Sequence, residues 1–312
     1  MQTQVIPLLI ILGPTAVGKS RVSIILAREL NGEIISADSR KIYKYMNIGT
    51  AKPDEEERKE VPHHLLDLIE PYEEFSAGRF REEAEKVISQ VHQRGNVPIL
   101  VGGSGLYLKA VTDGLFSGPR GDKDKRKKLK QLAGEFGSLY LYEKLKEVDP
   151  LAASRIHPHD LVRTIRALEV YEETGKPIST LQAEGKQERD ELYETTIIGL
   201  NRPRPNLYRR IERRTEAMFA RGLVEEVRNL LKQGFHENLV SMQGVGYKEV
   251  CGYLHHRYGE EEAVRLLKRN TRRYAKRQLT WFKKDKRIQW INISENESAE
   301  EVVKRMKKTL AN

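Results

Sequence analysis

The sequence predicts an α/β protein: a parallel sheet flanked by helices and interrupted by an all-helical insertion. Three observations carry this. Apolar strand-like runs alternate with helical periodicity from residue 5 to about 110. A glycine-rich segment, Gly13-Pro-Thr-Ala-Val-Gly-Lys-Ser20, joins the first such run to the first helix. Strand signals then stop between about Pro119 and Glu194 and resume at Thr195-Thr-Ile-Ile-Gly-Leu200. Alternation at this spacing implies βαβ units with right-handed crossovers.

The elements follow in order. Residues 5–12 are continuously apolar, as a strand buried on both faces requires. Lys19 to Asn31 has helical spacing, with Val22, Ile25, Leu26 and Leu30 on one side. Glu33–Asp38 reads as a second strand ending at a carboxylate, and His64–Ile69 as a short third. Phe80–Arg94 is an amphipathic helix, and Val97–Val101 a strand stopped by Gly102 and Gly103. Within the insertion, helical segments are expected at Lys123–Phe136, Leu139–Glu147 and Asp160–Thr174. After the sheet resumes, helices are expected at Pro205–Arg221, Leu223–Gln233 and Glu260–Lys284, then a strand at Ile288–Ile293 and a helix at Ala299–Leu310. The domain division is therefore 1–118 with 195–312 as the α/β core, and 119–194 as the insertion.

A hydrophobic content of 38% against 32% charged residues favours exposed helices over one large core. The formal net charge of +10 points to a polyanionic partner, because Lys and Arg neutralise phosphates and release counterions. Cys251 is the only cysteine, which excludes a disulfide within the chain and a cysteine zinc site and fits a reducing cytoplasm. The apolar N-terminal stretch has no basic residues before it and runs straight into the glycine-rich loop, so it is a core strand rather than a signal peptide. No apolar run reaches the roughly 20 residues of a membrane helix, and no membrane association is expected.

GPTAVGKS fits the phosphate-loop pattern, with a strand before it and a helix after it, and makes the core P-loop NTPase-like. Gly13 and Gly18 let the backbone curl so that N–H groups face inward, and the following helix dipole adds to the field. Lys19 can reach a phosphate, and the Ser20 hydroxyl can ligate Mg²⁺. The loop alone does not say whether its ligand is a nucleotide or another diphosphate. Parallel strands bring their C-terminal ends to one edge, where ligands bind. Asp38 should therefore stand near the phosphates, where it can take a proton from a nucleophile, hold magnesium through water, or cap a helix. Gly102-Gly-Ser-Gly-Leu-Tyr107 leaves a strand on the same edge and makes Ser104 a candidate contact to phosphate or nucleophile. No Asp ends that strand, which argues against an ordinary ATPase.

Basic residues cluster at Lys123–Lys130, at Arg163 and Arg166 on one helix face, and most densely at Lys268–Arg287. The last tract interleaves Tyr274, Trp281 and Phe282 among the charges. Cations suit phosphates, and aromatic planes suit splayed bases of single-stranded RNA. The bland alternative, aromatics docking a solvated helix to the core, is the better reading for the aromatics. It fails for the charges, which repel unless something offsets them.

GPTAVGKS, SADSRKIY, IGTAKP, HHLLD, GGSGLY, LVRTIRALEVYEETGKP, SMQGVGYKE and YAKRQLTWF occur in that order. Together they resemble the bacterial tRNA dimethylallyltransferase (tRNA isopentenyltransferase) family, over about Leu8 to Trp290. The resemblance implies transfer of a dimethylallyl group from dimethylallyl diphosphate to N6 of the adenosine 3′ of the tRNA anticodon, with diphosphate leaving and Mg²⁺ assisting. It implies that the phosphate loop serves a prenyl diphosphate rather than ATP, and that the target base is flipped out of the anticodon loop.

By matching motif position, Asp38 is the implied base, with Ser104 and Arg126 as further catalytic residues. Ser104 stands where many relatives carry Thr. The diphosphate falls to Gly13, Pro14, Thr15, Ala16, Val17, Gly18, Lys19 and Ser20, with Arg214 helping to neutralise it. The RNA path is implied along Asp38, Ser39, Arg40, Lys41, Ser104 and Arg126, along Val162, Arg163, Thr164, Ile165 and Arg166, along Gln243, Gly244, Val245, Gly246, Tyr247 and Lys248, and along Lys276, Arg277, Gln278, Trp281 and Lys283. Lys41 stands where relatives often have Gln. The insertion is expected against the anticodon stem, and the enzyme is expected to be a cytoplasmic monomer. Two other functions compete. A small-molecule kinase explains residues 8–110 but gives the basic tracts no purpose. An RNA-binding GTPase-like switch requires an Asn-Lys-x-Asp tetrad after a strand, which is not found.

Overall fold

The computed structural model describes residues 5–115, 118, 121–187 and 192–311. They form two compact units, one from residues 5–112 and 192–311, the other from the intervening stretch. In chain order the elements of the first half are β1 (Ile6–Leu12), α1 (Lys19–Leu30), β2 (Gly32–Ala37), α2 (Glu55–Glu60), β3 (His63–His64), α3 (Ala77–Gln93), β4 (Val97–Gly102) and α4 (Gly105–Thr112). The intervening unit holds α5 (Lys123–Phe136), α6 (Ser138–Val148), α7 (Pro150–Ala153), α8 (Leu161–Thr174) and α9 (Ile178–Gln187). Then come β5 (Tyr193–Asn201), α10 (Arg204–Ala220), α11 (Leu223–Lys232), α12 (Tyr247–Leu254), α13 (Glu260–Phe282), β6 (Gln289–Asn292) and α14 (Ala299–Leu310).

The six strands form one parallel sheet in the order β3-β2-β4-β1-β5-β6. Along β1, Leu8, Ile10 and Leu12 pack on one face with Phe80 and Ile88 of α3 and Leu108 of α4. Leu9 and Ile11 pack on the other with Val22 and Leu26 of α1 and Val303 and Met306 of α14. Helices on both faces are why β1 is apolar without alternation. A third apolar cluster joins Ile42, Tyr43, Met46 and Ile69 to Leu223, Val227, Tyr247 and Val250, and so anchors the segment after β2 onto α11 and α12. The helical unit has its own core around Leu141, Leu145, Ile165 and Leu168.

Register sets the site. Leu12 and Ala37 both pair with Gly102, and Leu12 also pairs with Gly199, so β1, β2 and β4 end at one level. Gly102 permits this: a Cβ there would lie 2.0 Å from the Ala37 carbonyl oxygen.

Two expectations are corrected. The strand expected over 64–69 is only His63–His64, because Leu65 and Asp67 take left-handed backbone. Asp67 turns to meet Arg58 and the buried Lys52, and Ile69 makes only an isolated bridge to Tyr43. The sheet resumes at Tyr193, so Tyr193 and Glu194 belong to β5 rather than to the insertion. The expected boundary at 119 lies outside the described residues. The short helices α2, α4, α7 and α12, of four to eight residues, and the longer α9 are additional.

Candidate active site and nucleic-acid interface

The phosphate loop curls through Gly13 (φ 151°), Ala16 (φ 64°) and Gly18 (φ 115°). Gly13 is required by contact as well as by conformation, since a Cβ would sit 2.5 Å from the Leu200 carbonyl oxygen. Gly18 caps α1 without a side-chain acceptor, so the first helical amides open toward the loop. Lys19 Nζ donates to the carbonyls of Gly13 and Pro14, each at 2.9 Å. Burial lowers the Lys19 ammonium to a pKa of about 7, with Asp38 acting against the shift and Lys41 and Arg214 adding to it.

Residues distant in sequence brace this loop. Arg202 Nε donates to the Val17 carbonyl and Arg210 Nε to the Ala16 carbonyl, both at 2.8 Å. Arg214 Nη1 donates to Thr15 Oγ1 at 3.2 Å. The Thr15 amide donates to Gln278 Oε1 at 2.8 Å. Burial also lowers the pKa values of Arg202, Arg210 and Arg214. Sequence reasoning missed the bracing by Arg202 and Arg210, for which the only local signal is their place just after β5.

Asp38 follows β2 directly. No helix starts there, which removes the helix-cap reading. Its Oδ1 accepts the Arg40 amide at 2.9 Å, an Asx-turn. The Asp38 charge acts to raise the pKa of Lys19, Lys41 and Arg214 against the larger effect of burial, so this carboxylate lies within electrostatic reach of all three cations. Lys41 is half-buried, and burial lowers its pKa too. Ser104 Oγ accepts the Ser39 amide at 3.0 Å and donates to Ser39 Oγ at 3.2 Å. Burial raises the phenol of the half-buried Tyr274 of α13 to about 12. Ser104 thus pins the turn that carries Asp38.

The IPP transferase family model matches residues 41–285. The chain is 50% identical over 299 residues to the tRNA dimethylallyltransferase of Caldanaerobacter subterraneus subsp. tengcongensis, covering 95% of each chain. This chain belongs to the IPP transferase family. It is 51% identical over 294 residues to the tRNA dimethylallyltransferase of Alkaliphilus oremlandii, covering 94% of this chain and 93% of that one. It superposes on the crystal structure of the tRNA isopentenylpyrophosphate transferase of Bacillus halodurans with a TM-score of 0.72 and 41% identity, over 98% of this chain and 95% of that. A eukaryotic dimethylallyltransferase acting on tRNA gives a TM-score of 0.80 at 28% identity, over 98% of this chain and 80% of that. The P-loop NTPase-like fold is that of these IPP transferases.

Other residues implied by the family resemblance divide by burial. In α13, Lys268 pairs with Glu216 at 2.6 Å and Arg272 with Glu212 at 2.7 Å, so α10 offsets one side of the charge. On another side Arg273, Lys276, Arg277, Thr280, Trp281 and Lys284 line an open groove of about 400 Å³. Phe282 is buried and Tyr274 half-buried, as the docking reading expects, while Trp281 packs against Gly105 yet keeps 42% of its surface exposed. Tyr247 is buried and donates to Glu226 Oε1 at 2.7 Å. Gln243 and Lys248 are exposed. Gly244 lies against Arg40, whose guanidinium donates to the Val240 carbonyl. Val245 packs against the α11–α12 core, and Gly246 caps α12 with φ 106°.

In the helical unit, Arg126 and Arg166 both bind the buried Glu169 carboxylate, at 2.9 and 2.7 Å. Those bonds overcome burial, which acts to raise the Glu169 pKa, and leave it lowered. Val162 is 80% exposed and Arg163 is exposed, while Thr164 and Ile165 point into the core. His63 and His64 are structural: their rings contact the Val61 carbonyl at 2.7 Å and Glu33 at 2.6 Å.

Magnesium fits the loop. Ser20 is exposed at the first turn of α1, and its hydroxyl makes no hydrogen bond to a described residue. Among the described residues no group of three His, Cys, Asp or Glu could hold a metal. A single hydroxyl beside a phosphate cradle suits Mg²⁺, which keeps several waters and takes its remaining ligands from substrate phosphates.

Proposed function

We propose that this IPP transferase moves the dimethylallyl group of dimethylallyl diphosphate onto N6 of the adenosine 3′-adjacent to the anticodon of tRNA, releasing diphosphate. The observation that carries the reading is Asp38, one carboxylate at the end of β2, level with the end of β1 where the phosphate loop begins, and within electrostatic reach of Lys19, Lys41 and Arg214. An aromatic amine is a weak nucleophile and sheds its proton only as the new bond forms. The N6–C1 bond forms while the C1–O bond breaks, and the electron pair of C1–O leaves on the diphosphate. The N6 proton goes to the Asp38 carboxylate.

Lys19, Arg214 and the amides at the start of α1 hold the departing charge. Bound at the Ser20 hydroxyl, Mg²⁺ would supply further positive charge to the diphosphate. Ser104 fixes the Ser39 turn, so that Asp38 is held in place. The groove along α13 takes the RNA, with Trp281 offering a face for a splayed base. The protein acts as a cytoplasmic monomer. No helix among the described residues is long and apolar enough to cross a membrane.

The reading is tested by incubating the protein with Mg²⁺, dimethylallyl diphosphate and an anticodon stem-loop, then digesting the RNA to nucleosides for mass spectrometry. An adenosine carrying the prenyl group on N6 is expected. Unmodified RNA alongside tight ATP binding would refute the proposal.

A further inference from the structure

The RNA path implied along α13 includes Gln278, yet the structure puts this side chain to another use. Gln278 is buried, with 7% of its surface exposed, while its neighbours Lys276 and Arg277 are exposed. Its Oε1 accepts the Thr15 amide at 2.8 Å, and its Nε2 donates to the Gly103 carbonyl at 2.9 Å. Both ends of the carboxamide are therefore engaged by backbone. One end touches the phosphate loop and the other the segment leading to Ser104. A Cβ on Gly103 would lie 2.2 Å from Gln278 Nε2, so a glycine is needed there for the carboxamide to pass. One turn further, a Cβ on Gly105 would lie 2.4 Å from the Trp281 indole, which seats α13 on the same segment.

We infer that Gln278 is a positioning residue for diphosphate binding, which sets the phosphate loop in register with the Ser104 segment, rather than a reader of RNA. The inference rests on the prenyl-transfer reading. Oε1 spends the Thr15 amide on the protein, so the diphosphate is left to the amides from the α1 end of the loop. Thr15 Oγ1 is meanwhile held by Arg214. Without the carboxamide, the Thr15 amide and the Gly103 carbonyl lose their partner, and the loop loses the fixed geometry that a leaving diphosphate requires.

Two variants test this. Gln278→Met keeps the volume and removes both hydrogen bonds. Gln278→Glu keeps the acceptor for Thr15 but sets an oxygen against the Gly103 carbonyl, a contact that only the protonated acid can turn into a hydrogen bond. The readouts are the melting temperature, the Kd for the stem-loop, and kcat and KM for dimethylallyl diphosphate at several pH values. For Gln278→Met we expect KM for dimethylallyl diphosphate to rise at least about tenfold, with RNA affinity within about twofold of wild type. For Gln278→Glu we expect the KM ratio to wild type to shrink as pH falls. Lost RNA affinity with unchanged KM would overturn the inference, as would a pH-independent ratio for Gln278→Glu. A wild-type protein that fails to prenylate RNA would instead refute the underlying reading.

Discussion

At the scale of residues, the site sets one carboxylate among several half-buried cations, and Lys19 carries the clearest consequence. With its ammonium lowered to about 7 by burial, it is partly neutral near neutral pH. A bound diphosphate favours the charged form and raises that pKa, so binding takes up a proton. Affinity for diphosphate should fall as pH rises through about 7, and calorimetry in buffers of different ionisation enthalpy should show the uptake. Affinity that stays flat from about pH 6 to 9 would contradict this. The phosphate loop was legible because strand, turn and helix signals are contiguous in GPTAVGKS. Its bracing was not: Thr15 and Gln278 are 263 positions apart, and nothing near either residue announces the pair.

At the scale of elements, strand register does the positioning, and the opposite end of β2 anchors it. Glu33 there is 4% exposed and hydrogen-bonded by Arg94, Asn96 and His64. Burial acts to raise its pKa, but those bonds prevail and hold it at about 2 against an ordinary 4.5. A lowered carboxylate pKa stabilises the fold above the unfolded value and is lost as pH falls toward the folded one. About 3 kcal/mol should therefore disappear between pH 4.5 and pH 2. Denaturant unfolding should show this loss in wild type and a much shallower one in Glu33→Gln. Long periodic helices such as α3 and α14 were readable because their buried residues repeat every turn. The third strand was misjudged because the left-handed turns at Leu65 and Asp67 answer to Lys52 and Arg58, not to the local apolar run.

For the whole molecule, a net charge of +10 matters by where it is free. Glutamates of α10 offset Lys268 and Arg272, whereas Lys276 and Lys284 line the groove. Replacing Lys276 or Lys284 with Ala should lower the slope of log K for the stem-loop against log salt by about 0.7 each. Replacing Lys268 should change it much less. Equal effects at all three sites would mean that RNA does not follow the groove. Composition indicated the polyanion, but only the fold separates offset charge from available charge.

The most direct test of the central claim is transfer of radiolabel from dimethylallyl diphosphate to an anticodon stem-loop, with wild type and Asp38→Ala run together in Mg²⁺. The account predicts labelled RNA with wild type and a rate about 10²–10⁴ lower with the variant, while diphosphate affinity holds within a few-fold. No label with wild type, together with phosphoryl transfer from ATP to a small acceptor, would contradict it.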